Sequence, residues 1–416
     1  MRHPGKINTG LLSVLGALSF FLSAIEYMIP KPLPFIRLGF ANLPLLLALD
    51  IMPFPSFIFL VGIKIAGQAL VSGTLFSYVF LFSLGGTGIS ALLMYALRKF
   101  PGKDRISLVG VSAAGALASN GAQLILAWFF IFGKSVRYLA SPVLALGTVT
   151  GTLLGITAEI FIRQSRWYRR YNNHLRQEAA PVTGAASSVS AEYAEKKEPA
   201  VIKQSERFRS ARELWCMENI TSRELAIAGL CMAPALLLNP DSKTRICQFV
   251  LFWCLAWLSG KKNNLLITVS VMLGIVFFNL LVPYGELLFA IGPVKITSGA
   301  LWAGIHRAVT LEALIMLSRC CVRRDLSLPG LFGEVTGEAL RFFAILTSEI
   351  KTIKQRNWID RLDELLIKIE NEKPKEKKTE PGKVLNSPGL HRSVIPGRIM
   401  LVAALILAWL PLLLRV

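Results

Sequence analysis

The sequence predicts an all-α, polytopic transmembrane protein: a six-helix N-terminal bundle, then a second helical membrane block carrying amphipathic cytoplasmic helices. Three observations predict it. Hydrophobic residues make up 53% of the 416 and charged residues only 17%, against about 25% charged in a soluble domain. About eleven windows, among them "GLLSVLGALSFFLSAIEYMI" and "MLVAALILAWLPLLL", approach the roughly 20 apolar residues that a helix needs to cross a bilayer. The net charge of +20 gathers in loops and two polar segments, as the positive-inside bias predicts. No basic patch belongs to a soluble domain, so the expected partner is the lipid bilayer and not nucleic acid.

Residues 1–163 form the first block, with apolar segments beginning near Gly10, Gly39, Ser56, Leu75, Ile106 and Tyr138. "MRHPGK" has the charge of a signal-peptide n-region, but no small-residue cleavage site follows, so the first segment is expected to be retained. The densest positive charge, "RKFPGKDR" and "RQSRWYRR", follows the fourth and sixth segments. Both lie on one side if the N-terminus is cytoplasmic, which puts "PKPLPFIR" on the outer face of the cell membrane.

Residues 164–222 read as a polar cytoplasmic linker. Its start, "SRWYRRYNNHLR", suits anionic headgroups at about 1 kcal/mol per basic residue, or is an ordinary positive-inside flank. "EAAPVTGAASSVSAEYAEKKEPA" then has the composition of a flexible linker. The second block, 223–372, brings four more apolar segments and turns amphipathic after Pro329. Apolar residues recur there at helical spacing through Leu340, Phe343, Ile350, Ile353, Leu362, Leu365, Leu366 and Ile369. These predict one or two helices on or below the cytoplasmic surface. Residues 373–395 are rich in lysine and glutamate and read as disordered, and residues 396–416 as a last transmembrane helix.

Enzyme signatures are missing: there is no D-D-x-x-D metal motif, no G-x-x-x-x-G-K-[ST] loop and no H-E-x-x-H. No catalytic, cofactor or metal site is expected, and ATP-driven work would need a separate subunit. The six cysteines form neither C-x-x-C nor a Cys/His cluster. Cys247 and Cys254 read as small packing residues on one helix. Cys320 and Cys321 adjoin "VRR" on the reducing side, against a disulfide.

Polar residues within apolar segments carry the functional signal: Glu26, Asp50, Lys64, Gln68, Asn120, Gln123 and Glu159. An ionisable group at membrane depth costs several kcal/mol unless it is paired or faces a cavity. Lys64, with Gln68 one turn on, is the sharpest. It lines a cavity or pairs with Asp50 or Glu159. Asn120 and Gln123 share a helical face, for a ligand or for interhelical hydrogen bonds. Gly147, Gly151 and Gly155 form a stripe for close helix packing. Residues 30–55 are too proline-rich for a plain hairpin and too apolar for a soluble loop. They fit a loop entering the bilayer edge followed by a short helix. Arg37 and the N-terminal end of that helix, near Asn42, would offer positive potential to an anion, or Arg37 would snorkel to headgroups.

"IPKPLPFIRLGFANLPLLLALDIM", "GIKIAGQALVSGTLFS" and "LVGVSAAGALASNGAQLILAWFF" resemble the Gx transporter family, also labelled heptaprenyl diphosphate synthase component I. That family is similar to substrate-binding (S) components of energy-coupling-factor transporters. The resemblance covers the first block and implies a six-helix unit that captures a small molecule. Arg37, Asn42, Lys64, Gln68, Asn120 and Gln123 would then contribute to the cavity, and their two basic residues hint at an anion. "NPDSKTR", "VPYGELLFAIGPVKIT" and "SGALWAGIHRAVTLEALIMLSR" resemble the transmembrane (T) component, which implies cytoplasmic ATPase partners. That family's coupling helices dock the ATPases through Ala-Arg-Gly motifs, and none follows Pro329. A non-transporting scaffold or accessory protein of isoprenoid, quinone or flavin-linked redox metabolism is the alternative. A lipid-diphosphate enzyme would need an acidic metal pair that the sequence lacks.

The charge pattern predicts that the N-terminus and the 164–222 linker are cytoplasmic. An impermeant thiol reagent should leave cysteines introduced in the linker unlabelled in intact cells and label them after lysis. Labelling in intact cells would reverse the topology.

Overall fold

The computed structural model describes residues 8–28, 39–100, 105–179, 211–261, 264–291, 294–323, 329–348, 358–371 and 395–413. Arg37, most of the linker (180–210), the coupling-stretch residues Ile350 and Ile353, and the charged run up to 394 lie outside them. The described residues are helical apart from turns and one hairpin. Six helical stretches among them are long and apolar enough to cross a membrane: Thr9–Glu26, Phe54–Ser72, Tyr78–Lys99, Leu108–Gln164, Ser298–Cys321 and Pro396–Leu413. The chain is a multi-pass helical membrane protein.

The first block builds α1 (Thr9–Met28), α2 (Leu43–Ile51), α3 (Phe54–Ser72), α4 (Tyr78–Lys99), α5 (Leu108–Ala127) and α6 (Val136–Gln164). A π-turn, Trp128–Phe132, and a 3-10 turn, Gly133–Ser135, make the corner between α5 and α6. Trp128 and Phe129 are exposed at that corner, where a membrane–water interface favours aromatic rings. The glycine stripe of α6 faces α5. A Cβ on Gly151 would lie 2.6 Å from the Ala116 Cβ, and one on Gly155 2.5 Å from the Val109 Cα. The Ser112 hydroxyl donates to the Gly151 carbonyl at 2.7 Å, so small residues let a side chain bond directly to the neighbouring backbone.

Past α6 the chain forms α7 (Arg166–Ala179) and α8 (Ala211–Asn219), then α9 (Ser222–Leu237), α10 (Ser242–Leu258) and α11 (Leu265–Leu280). A short antiparallel hairpin, β1 (Leu287–Ile291) and β2 (Val294–Thr297), leads into α12 (Ser298–Cys321). The amphipathic stretch is α13 (Gly330–Ser348) and α14 (Trp358–Asn371), and α15 (Ile395–Leu413) closes the described chain. All six cysteines are free thiols. Cys247 and Cys254 are exposed, so they face out of the bundle instead of packing inside it.

The two sequence blocks interlock through two apolar cores. One joins α1–α6 and α7 with α13 and α14. The other joins the opposite ends of α4, α5 and α6 with α8–α12 and α15. Helix α13 runs parallel to α1: the Ser13 hydroxyl donates to Glu338 at 2.7 Å, Gly16 abuts Ala339, and Phe20 meets Phe343 edge-on with ring centroids 6.4 Å apart. Helix α14 binds α7 by a carboxylate cap. Buried Asp363 accepts from the Ser165 hydroxyl, from the Arg166 amide at 3.0 Å and from the Trp167 amide at 3.1 Å. An anion there satisfies the orphan amides of the first turn and meets the positive end of the helix dipole.

Trp167 and Tyr168 are both buried in protein, so the aromatic part of the juxtamembrane stretch anchors α7 to the bundle and not to headgroups. Burial, reinforced by the Asp50 carboxylate and opposed by Arg98, pushes the Tyr168 hydroxyl well above its usual range.

Asp363→Ala removes the cap and one end of every bond in it. Such a loss should cost about 1–3 kcal/mol, read as a lower melting temperature of the purified protein. Proteolysis should show α7 and α14 opening before the membrane helices. An unchanged melting temperature would mean that apolar contacts alone hold α14.

Candidate functional site

The short segment at the start of the first block explains how the site is built. Gly39 has φ 89°, a left-handed conformation that suits glycine, and it turns the chain into a 3-10 turn at Phe40–Asn42. Pro44 starts α2 in the first turn, where its missing N–H is harmless. Residues 43–49 of α2 are all buried. This is why the helix has no polar face: it is surrounded by protein on every side. Its nine residues span roughly 13 Å.

Each end of α2 is held by a polar contact. At one end the Lys64 ammonium of α3 donates to the Asn42 side-chain carbonyl. At the other, Asp50 accepts from Arg98 of α4 through both carboxylate oxygens, at 3.0 and 2.8 Å. Arg98 also donates to the Ile106 carbonyl at 3.1 Å, just before α5.

A cavity lies beside the Asn42 end, and α1, α3, α4, α5 and α6 reach it together with the turn that precedes α2. Its lining takes Glu26 from α1, Asn42 beside α2, Lys64 and Gln68 from α3, Thr87 from α4, Ser119 and Asn120 from α5, and Gly147 and Thr150 from α6. Lys64 is 2% and Glu26 4% exposed. The free space is about 30 Å³, room for a water molecule or two. Four of the six sequence-derived candidates therefore meet at one point: Asn42, Lys64, Gln68 and Asn120. Arg37 lies outside the described residues.

Gln123 does not line the cavity. It sits one turn further along α5, where its amide donates to Ser119 Oγ at 3.0 Å, and a Cβ on Gly86 would come within 2.7 Å of it. Asn120 also has an interhelical bond, donating to the Val143 carbonyl of α6 at 3.0 Å. Gly147 makes the room, since a Cβ there would lie 1.9 Å from the Asn120 amide nitrogen.

Sequence reasoning weighed Asp50 and Glu159 as ion-pair partners of Lys64. Asp50 is held by Arg98, and Glu159 lines a separate cavity at the other end of the block. The carboxylate that shares the Lys64 cavity is Glu26. Its sequence signal was present, an acid inside "FFLSAIEYMI", but spacing within one helix does not show which residue of another helix it will face. The hydroxyls of Thr87, Ser119 and Thr150 had no signal of their own, because serine and threonine are common in membrane helices.

In the second block, the "NPDSKTR" residues build a joint between helices. Asp241 caps α10, accepting from the Thr244 amide at 3.0 Å. Arg245 is buried, with bonds to Thr310 Oγ1 of α12 at 2.5 Å and to the Asn239 carbonyl after α9. Arg307 of α12 donates to Asn279 of α11 at 2.8 Å and to Ile131 of the α5–α6 corner at 3.4 Å, so it ties the blocks together.

Residues 15–161 match the model of the family described as heptaprenyl diphosphate synthase component I, which is the resemblance that the first block carries. Residues 223–324 match a domain of unknown function, DUF8519, which gives no support to the T-component resemblance. No curated protein and no solved structure matches the chain.

Residues that share a cavity should couple energetically, and Lys64 should not couple to Glu159, which lines the other cavity. In a double-mutant cycle, Lys64→Met with Glu26→Gln should show an interaction energy of about 0.5–3 kcal/mol. Lys64→Met with Glu159→Gln should add to within about 0.5 kcal/mol. Melting temperatures of the purified single and double variants measure both.

Proposed function

We propose that this protein is the membrane subunit of a transporter, similar to a fused S and T component, that moves a small polar molecule with separate ATPase subunits. The supporting observation is the convergence of Glu26, Asn42, Lys64, Gln68 and Asn120 on one cavity among the membrane helices. Charged and amide side chains at membrane depth mark substrate and ion pathways. Among the described residues the lining contains one ammonium and one carboxylate, a balance that favours a neutral or zwitterionic substrate, whereas the anion hint drew on Lys64 together with Arg37. Lys64 and Asn42 would bind an acceptor, Glu26 a donor, and Gln68 and Asn120 either.

Pockets for small molecules usually hold about 300–1,000 Å³, far more than the free space here, so uptake requires Asn42 and Lys64 to part. Movement of α2 away from α3 does this. Helix α13 lies along α1, where motion of a cytoplasmic partner would reach the first block. The N-terminus, α7 and α14 are cytoplasmic in this reading.

A second reading, a non-transporting membrane scaffold or accessory protein of isoprenoid metabolism, is favoured by the description of the matched family and by the smallness of the cavity. In that reading the protein is likewise not an enzyme, and a soluble prenyltransferase or redox subunit is its partner.

Reconstitution in proteoliposomes separates the two. With its ATPases the protein should take up a co-purifying small molecule only when ATP is present. Lys64→Met should weaken binding by about tenfold or more, the loss of a hydrogen bond to a charged group. Uptake at full rate without ATP, or recovery of a prenyltransferase in place of an ATPase on co-purification, would count against transport.

A further inference from the structure

The second cavity lies at the Asp50 end of the first block and is larger and more open, about 480 Å³. It is lined by Asp50, Arg98, Arg105, Ser107, Glu159 and Arg163. Arg98 is already engaged by Asp50. Among the described residues, the side chains of Arg105 and Arg163 form no hydrogen bond or ion pair, so two guanidinium groups face the space against the single carboxylate of Glu159. The first turn of α5 adds to them. Ser107 caps Gly110, but the neighbouring amides of a helix start remain positive. The same helix, α6, that brings Glu159 and Arg163 shows an outward apolar strip of Leu153, Ile156 and Ile160, all exposed. These residues lie one to three turns from Arg163 along the helix.

We infer that this cavity receives the phosphate headgroup of an anionic phospholipid, with its acyl chains against the exposed strip of α6. A planar guanidinium binds phosphate through paired N–H groups, and a lipid supplies a phosphate at the depth where α6 leaves the apolar layer. An ordinary charged flank would disperse its arginines into water. Here two of them line one concave space beside an apolar strip, and the ligand that satisfies both features carries a phosphate and hydrocarbon together. The site is distinct from the Lys64 cavity, and the inference stands whether or not the protein is a transporter.

The test uses the full-length protein in a neutral detergent with a fluorescent phosphatidylglycerol as the probe. Unlabelled phosphatidylglycerol, phosphatidylcholine and inorganic phosphate are the competitors. Two arginines near one phosphate predict a preference for phosphatidylglycerol over phosphatidylcholine of roughly thirtyfold at low salt. The double variant Arg105→Gln, Arg163→Gln should abolish the preference and keep its melting temperature, since both side chains are exposed. Arg166→Gln with Arg170→Gln removes the same charge from the exposed face of α7 and should keep the preference. Equal binding of the two lipids, or equal loss in the two double variants, would overturn the inference. Full displacement of the probe by inorganic phosphate at the same concentrations as the lipid would overturn it in favour of a soluble phosphate ligand.

Discussion

The contact on which the first block depends is the two-pronged pair between Asp50 and Arg98. Each side chain is 14% exposed, so neither charge has the full hydration that would let it stand alone. The pair joins α2 to α4, and the third bond of Arg98, to the Ile106 carbonyl, brings in the start of α5. Three helices thus share one guanidinium. Because a lone partner would be left as a poorly solvated charge, the pair fixes where α2 ends, and that in turn fixes where Asn42 stands relative to Lys64. The polar cavity at one end of α2 is positioned by the ion pair at the other.

The same logic recurs at the seams between the blocks. Bilayer hydrocarbon gives helices no hydrophobic reason to prefer one another over lipid, so close packing and hydrogen bonds must supply specificity. Ser13 reaching Glu338, Asp363 capping α7 and Arg307 bridging to Ile131 are such bonds, each between segments far apart in the chain. Glycines on α6 do the complementary work by admitting a neighbouring backbone or amide. Two cores shared by both blocks result, so the blocks are contiguous in sequence without being separate bodies.

What could be read from the sequence follows from what a single helix determines. Helical periodicity put Lys64 and Gln68 on one face, and the spacing of Gly147, Gly151 and Gly155 marked a packing surface before its partner was known. The short segment after "RLGFAN" was recognisable as too short to span. What could not be read was pairing between helices: Glu26 with the Lys64 cavity, Asp50 with Arg98, Gln123 turned away toward Gly86. The burial of Trp167 and Tyr168 could not be read either, because aromatic residues beside arginines suit a headgroup layer and a protein interface equally. Asp363 gave no signal, since an acid on an amphipathic helix is ordinarily wetted, and only the folded structure shows the helix start that it caps.

Helix α2 bears on how the protein reaches the membrane. Nine residues cannot cross the hydrocarbon layer, and both ends carry groups that lipid cannot satisfy, an amide at Asn42 and a carboxylate at Asp50. Left in lipid, α2 would slip toward one surface or the other. It becomes stable at its depth only once α3 and α4 have arrived with Lys64 and Arg98. Insertion of this segment is therefore a late tertiary event, the closing of a plug by helices synthesised after it, and not a step of the insertion machinery acting on α2 alone.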